Sequence, residues 1–314
     1  MEIIKSEMTE LLDHVESELL VKEKIGEALD LLGKSLNEMR GKASFDSWKQ
    51  MISNCYPQHS ISRILFQDPL TRRAFQKPRG YAGDAIMMDL VYATESQLGL
   101  STDESLTEFG RNLHSHVLQF SACKAVRSRK QLIAKTIDEV ASKINKPRIL
   151  SVACGHLREA ENSKTVLEGR IGRFIALDQD IESLQCVKSK FTSYGVEPIH
   201  ASVKDILLGK FDFSDFDLIY SAGLYDYLKD PVAISLTRIL FEKLSPGGRM
   251  LIANFLPNHQ TVGYMEACMD WWLIYRDKVQ MKELLSSIHE ERVKNTIVYE
   301  DVDQSVVYLD VLKA

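Results

Sequence analysis

Apolar residues recur at Ile4, Met8, Leu11, Val15 and Leu19, and again at Ile25, Leu29, Leu32 and Leu36, with charged residues between them. This spacing of three and four predicts an amphipathic helix or helix pair over residues 1 to about 40. Further helical patterns lie near 44–53, 59–67, 84–98, 103–120 and 122–143, broken at Cys55-Tyr56-Pro57 and Lys77-Pro78-Arg79-Gly80. The period changes at Asn145-Lys146-Pro147: residues 148–153 form a short β-rich apolar run that stops at Cys154-Gly155. From there, strands predicted at 148–153, 173–178, 197–201, 216–221 and 249–254 alternate with helices near 157–168, 181–194 and 231–243. Such alternation predicts an α/β domain with a parallel sheet covered on both faces. Thr296–Tyr299 and Val306–Val311 add two strands, the last an antiparallel partner. The expected division is a helical region at 1–145 and a sheet domain at 146–314.

The chain has 314 residues and is 45% hydrophobic, enough to bury a large core unaided. Its five cysteines are widely spaced and form no C-x-x-C pair, so neither a disulfide framework nor a metal site is indicated. The N-terminus mixes charges into its apolar residues, which excludes a signal peptide, and no later run is long enough for a membrane span. A cytoplasmic location and no membrane partner are expected. A net charge of −5 argues against a nucleic-acid partner. Lys124, Arg127, Arg129, Lys130 and Lys135 are the one basic cluster, expected to be a solvated helix face because Asp138 and Glu139 follow it.

In a wound parallel sheet, ligands bind beyond the carboxyl ends of the strands. The residues there are Ala153-Cys-Gly155-His156, Asp178-Gln179-Asp180, His200-Ala-Ser202-Val203 and Tyr220-Ser221-Ala222-Gly223. Small residues after the first strand let backbone N–H groups approach a ligand, and an acid about 20 residues on suits ribose hydroxyls. The first turn lacks G-x-G-x-x-G, which disfavours a dinucleotide pyrophosphate. An adenosine ligand carrying a carboxylate and no phosphate suits the set better.

Ile149-Leu-Ser-Val-Ala-Cys-Gly155, Ala176-Leu-Asp178, Phe216-Asp-Leu-Ile-Tyr-Ser221 and Leu244-Ser-Pro-Gly-Gly-Arg249, in this order, resemble the motifs of class I S-adenosylmethionine-dependent methyltransferases. The resemblance implies a Rossmann-like seven-stranded methyltransferase sheet with S-adenosylmethionine as cofactor. It implies that Ala153, Gly155 and His156 border the methionine end, Asp178 and Gln179 the ribose, Ser202 and Val203 the adenine, and Ser221, Ala222 and Gly223 the sulfonium side. Ser151 stands where the family has an acid, and Ala153 and Leu157 where it has glycines.

Lys77-Pro-Arg-Gly-Tyr-Ala-Gly-Asp84, Met87-Met88 and Trp272-Leu-Ile-Tyr-Arg276 are similar to bacterial methyltransferases of the 3-hydroxypalmitic acid methyl ester synthase type. That similarity implies a small apolar acceptor methylated on oxygen. A carboxylate acceptor is ionised at neutral pH and needs a positioning cation, for which Arg79 and Arg276 are candidates. A hydroxyl or amine needs a base, and Asp84, Asp226, His114 or His116 could serve. Tyr81 lies in a glycine-rich loop suited to cover a cofactor, and Tyr225 follows the fourth strand. Asn254, Trp271, Tyr275 and His114 are the expected substrate contacts. An N-methyltransferase, or a module that binds the cofactor without catalysis, fits the same motifs. The N-terminal helices permit a homodimer or a closed monomer.

Overall fold

Short polar side chains set where most helices begin, by accepting amide N–H groups that the first turn leaves unpaired. Ser44 accepts from Ser47, Thr107 from Gly110, and Asp180 from Glu182. Asp68 accepts from both Leu70 and Thr71, with Pro69 at the first helical position. A computed structural model describes residues 2–21, 24–92 and 106–314. The parts of the predicted helices at 93–98 and 103–105 lie outside the described residues.

The helical region contains α1 (Glu2–Leu19), α2 (Ile25–Lys42), α3 (Phe45–Cys55), α4 (Ile61–Leu65), α5 (Pro69–Gln76), α6 (Ala85–Tyr92), α7 (Glu108–Val117) and α8 (Ser121–Lys143). After it come β1 (Arg148–Val152), α9 (Lys164–Leu167), β2 (Arg173–Asp178), α10 (Ile181–Phe191), β3 (Val196–His200), α11 (Val203–Leu207) and β4 (Phe216–Ser221). The chain ends with α12 (Asp230–Glu242), β5 (Leu244–Phe255), α13 (Val262–Cys268), α14 (Lys278–Glu283), β6 (Val293–Glu300) and β7 (Val306–Lys313). The predicted helix at 157–168 is broken in two because Ser163 caps a new start, and Asp138 binds the Ser163 hydroxyl and the N–H groups of Lys164 and Thr165.

The chain forms two compact units, Met1–Val126 with Asn258–Trp272, and Arg127–Pro257 with Leu273–Ala314. In the first unit, Met8, Leu12, Val15 and Leu19 of α1 and Ile25, Leu29, Leu32 and Leu36 of α2 are buried within the chain. Leu12 rather than Leu11 carries the stripe. α13 packs onto α2 so closely that a Cβ on Gly263 would lie 2.7 Å from the Asn37 nitrogen and from the Leu36 carbonyl carbon. Glu266 of the same helix accepts from Arg40 Nε and Trp48 Nε1, both at 2.7 Å.

In the second unit, seven strands among the described residues form one sheet in the order β3-β2-β1-β4-β5-β7-β6. β1 to β5 are mutually parallel, and β7 runs antiparallel between β5 and β6. One face buries Leu150, Val152, Ile175, Leu177, Ile219 and Ile252 against Ala233, Leu236, Leu240 and Phe241 of α12 and Met281 of α14. β5 starts earlier than the predicted 249, with an irregular stretch at Leu244–Gly248. Gly248 is needed there because a Cβ would meet the Phe216 carbonyl oxygen at 2.7 Å.

Candidate functional site

β3, β2, β1 and β4 are adjacent in the sheet, so their carboxyl ends lie side by side. Cross-links tie those ends together. Cys154 N–H donates to Leu177 O at 3.0 Å, Ala201 N–H to Asp178 O at 3.0 Å, and the Ser221 hydroxyl to Val152 O at 3.1 Å. The turn after β1 has left-handed backbone at alternate positions, Ala153 (φ 56°), Gly155 (φ 53°) and Leu157 (φ 54°). This conformation costs a non-glycine residue about 1–2 kcal/mol. The glycine geometry is kept where the sequence has alanine and leucine, and strain of this kind gathers at ligand sites.

Asp178, 7% exposed at the end of β2, fixes that turn. Its Oδ2 accepts the Gly155 N–H at 2.8 Å and its Oδ1 the Asp180 N–H at 2.8 Å. Burial raises its carboxyl above the usual range, against the lowering effect of those amides. A carboxylate offers about four acceptor sites, so two amides leave room for two hydroxyls. The residues present therefore fit an adenosine ribose.

Beyond β4, Arg276 is 1% exposed and fully engaged. Its Nη1 donates to Tyr225 O and Asn254 Oδ1 at 2.8 Å, and its Nη2 to Leu228 O at 2.6 Å and Asp230 Oδ1 at 2.7 Å. Asn254 in turn donates to the carbonyls of Phe255 and Ile274. Arg276 and Asn254 thus brace the loop after β4, and neither presents a polar group for an acceptor. Tyr225 is buried in the sheet's main core with its hydroxyl 3.0 Å from Thr237 Oγ1. Asp226 accepts the Phe255 N–H at 2.7 Å, and burial pushes its carboxyl up to about 7.

Two groups were not among the expected site residues. Arg129 is 3% exposed and is not part of a solvated face, although Lys124 and Lys135 of the same cluster are exposed. Its guanidinium lies against Gly223, with Nη1 3.7 Å and Nη2 3.8 Å from where a Cβ would sit, and Asp226 Oδ2 is 3.8 Å from that point. Glu159 is also buried, accepts from the Tyr220 hydroxyl at 2.7 Å, and is held above the usual carboxylate range by burial. The sequence did carry a signal for Arg129: it occupies the helical stripe formed by Ala122, Ala125, Val126, Ile133 and Ile137, all buried. A charge on an apolar stripe is either matched or used.

The remaining expected residues are distributed as follows. His156 is buried, Ala222 and Gly223 are half-buried, and Gln179 is exposed with its carbonyl 3.1 Å from His200 Nε2. Ser202 caps α11 in a reciprocal pair with Asp205, and the adjacent Val203 is half-buried. Tyr275 is half-buried in the second unit. Arg79, Tyr81, Asp84, His114 and Trp271 belong to the first unit. There, Arg79 and Tyr81 are half-buried in the turn before α6, and Trp271 is buried. Both oxygens of Asp84 are committed, to Arg73 Nε and Nη2 at 2.8 and 2.6 Å, and Oδ1 also accepts the Met87 N–H at 2.7 Å. That is a helix cap and ion pair. His114 Nδ1 is 2.7 Å from Asp68 Oδ1.

A mixed seven-stranded sheet with its seventh strand inserted antiparallel between the fifth and sixth is the class I methyltransferase fold, here preceded by helices. The CurJ carbon methyltransferase shares it over 98% of this chain and 93% of its own, with a TM-score of 0.53 and 14% identity. A possible exported protein of Bordetella parapertussis matches 82% of this chain and 98% of its own, with a TM-score of 0.55 and 16% identity. No protein-family model and no curated protein sequence matches the chain. No helix among the described residues is long and apolar enough to cross a membrane.

Proposed function

We propose that the chain is an S-adenosylmethionine-dependent methyltransferase that methylates an oxygen of an apolar small molecule, with hydroxy fatty acids as the first acceptor class to try. The observation that carries the reading is the left-handed turn at 153–157 tied to Asp178 at the carboxyl edge of this sheet. On this reading Ala153, Gly155 and His156 border the methionine end, Asp178 and Gln179 take the ribose, and Ser202 and Val203 flank the adenine. Ser221, Ala222 and Gly223 lie toward the sulfonium.

The cofactor supplies an electrophilic methyl group, so the protein's work is alignment and exclusion of water. A carboxylate acceptor arrives ionised and asks for no base. For a hydroxyl acceptor, Asp226 is the group whose proton affinity suits general-base work near neutral pH, since burial holds it near 7. The choice of an oxygen acceptor of the fatty-acid type rests on the likeness of residues 77–84 and 272–276 to methyl ester synthases.

Incubation with methyl-labelled S-adenosylmethionine and a panel of 3-hydroxy fatty acids, read by mass spectrometry, tests this. Label in an ester or ether, with stoichiometric S-adenosylhomocysteine, is the expected result. Binding of the cofactor with no transfer to any oxygen acceptor would overturn the substrate assignment. Failure to bind either sulfur nucleoside would overturn the reading as a whole.

A further inference from the structure

We propose that Arg129 recognises the carboxylate at the amino-acid end of the cofactor, a role that rests on the methyltransferase reading above. Two fixed points place its side chain. Glu139 of α8 accepts from Arg249, which pairs with Leu218 low on β4, while Arg129 reaches Gly223 just past the end of β4. Ten residues of helix rise about 15 Å and five of strand about 16 Å, so α8 carries Arg129 to the carboxyl edge of the sheet.

At that edge the guanidinium borders a residue with no side chain to cover it, beside the Asp226 carboxylate. Its charge also acts on Glu159, which follows the left-handed turn. Both carboxyls are pushed toward their neutral forms by burial, which weakens the compensation they give a buried cation. An incoming carboxylate supplies the missing charge, and the planar guanidinium fork matches it with two parallel bonds. A zwitterionic amino-acid end also needs acceptors near its ammonium, and this corner holds two carboxyls. The turn itself has no side-chain cation from 153 to 157 apart from what His156 could provide.

Calorimetric titration with S-adenosylhomocysteine and with 5′-methylthioadenosine, which lacks the amino-acid end, tests the role on the full-length wild type, Arg129→Gln and Arg129→Lys. Arg129→Gln is expected to weaken S-adenosylhomocysteine by about 30-fold or more and to leave methylthioadenosine within about twofold, with Arg129→Lys between wild type and Arg129→Gln. Equal losses for both ligands would assign Arg129 to structure and overturn the proposal, as would an unchanged affinity for S-adenosylhomocysteine. Should Arg129→Gln not fold, the lysine variant decides, since it keeps the charge and loses only the fork. A wild type that binds both ligands equally tightly overturns the role of Arg129 alone. A wild type that binds neither overturns the methyltransferase reading beneath it.

Discussion

The Asp178 carboxylate accepts the Gly155 N–H at 2.8 Å, joining the end of β2 to the turn that follows β1. One side chain thereby sets the backbone of the turn and presents its spare acceptor sites beside it. Asp178→Ala is expected to abolish measurable S-adenosylhomocysteine binding in calorimetry. The same change leaves the amides of Gly155 and Asp180 without their partner, at about 1–3 kcal/mol each where they stay buried. Asp178→Asn, which retains one acceptor oxygen, should recover part of the stability and little of the affinity. Native affinity in Asp178→Ala would remove the ribose assignment.

Ala153 and Leu157 share a left-handed backbone but differ in what their side chains do. Ala153→Gly relieves strain at little cost in packing and should stabilise the protein by about 1 kcal/mol. Leu157 is buried, so Leu157→Gly loses a core side chain worth about 2–5 kcal/mol and should destabilise on balance. Urea unfolding of the two variants is expected to move the midpoint in opposite directions.

The Asp226 carboxyl is raised to about 7 from an ordinary 3.8, chiefly by burial. A carboxyl raised on folding binds its proton more tightly in the native state. Its contribution to stability is full below about pH 4 and is lost as pH rises through about 7. Asp226→Asn cannot titrate, so its stability relative to wild type should improve by on the order of 4 kcal/mol between pH 4 and pH 8. Chemical unfolding of both proteins across that range measures the difference, and parallel profiles would show that the carboxyl titrates normally. If the acceptor is a hydroxyl, the same variant should lose turnover.

Arg276 is buried while its ion-pair partner Asp230 has a side chain 68% exposed. Little of its value therefore comes from that charge pair. Most comes from the carbonyls of Tyr225 and Leu228 and from Asn254, all otherwise left facing an empty space. Arg276→Ala is expected to cost about 3 kcal/mol or more and to lower the melting temperature, with only a small effect on S-adenosylhomocysteine affinity. Arg276→Lys should recover little, because one ammonium cannot span four partners. An unchanged melting temperature with loss of acceptor turnover would return Arg276 to the substrate.

Much of the sheet was legible in the sequence because strand period and strand-ending turns are local properties. The runs at 173–178 and 216–221 coincide with β2 and β4, and 148–153 differs from β1 only at Ala153, which already belongs to the left-handed turn. Pro69 begins α5 rather than ending a helix, a start written in Asp68-Pro69 and overlooked in the periodicity. The site was legible at Asp178, whose position after the second strand follows from chain order. It was not legible at Arg276, where the residue type suited an anionic substrate and only its neighbours show that it braces a loop.

The sequence by itself determined the change from helical to alternating period near residue 147, the places where strands stop, and the acid beyond the second strand. Those depend on neighbours a few residues apart. Only the tertiary structure decided that β7 enters antiparallel between β5 and β6, and that 258–272 packs with the helical unit rather than with the sheet it follows. It also decided that Arg129 turns inward beside Gly223 while Lys124 and Lys135 of the same helix face solvent. Burial is set by residues far apart in the chain, and a charge changes from solvated to functional only when they come together.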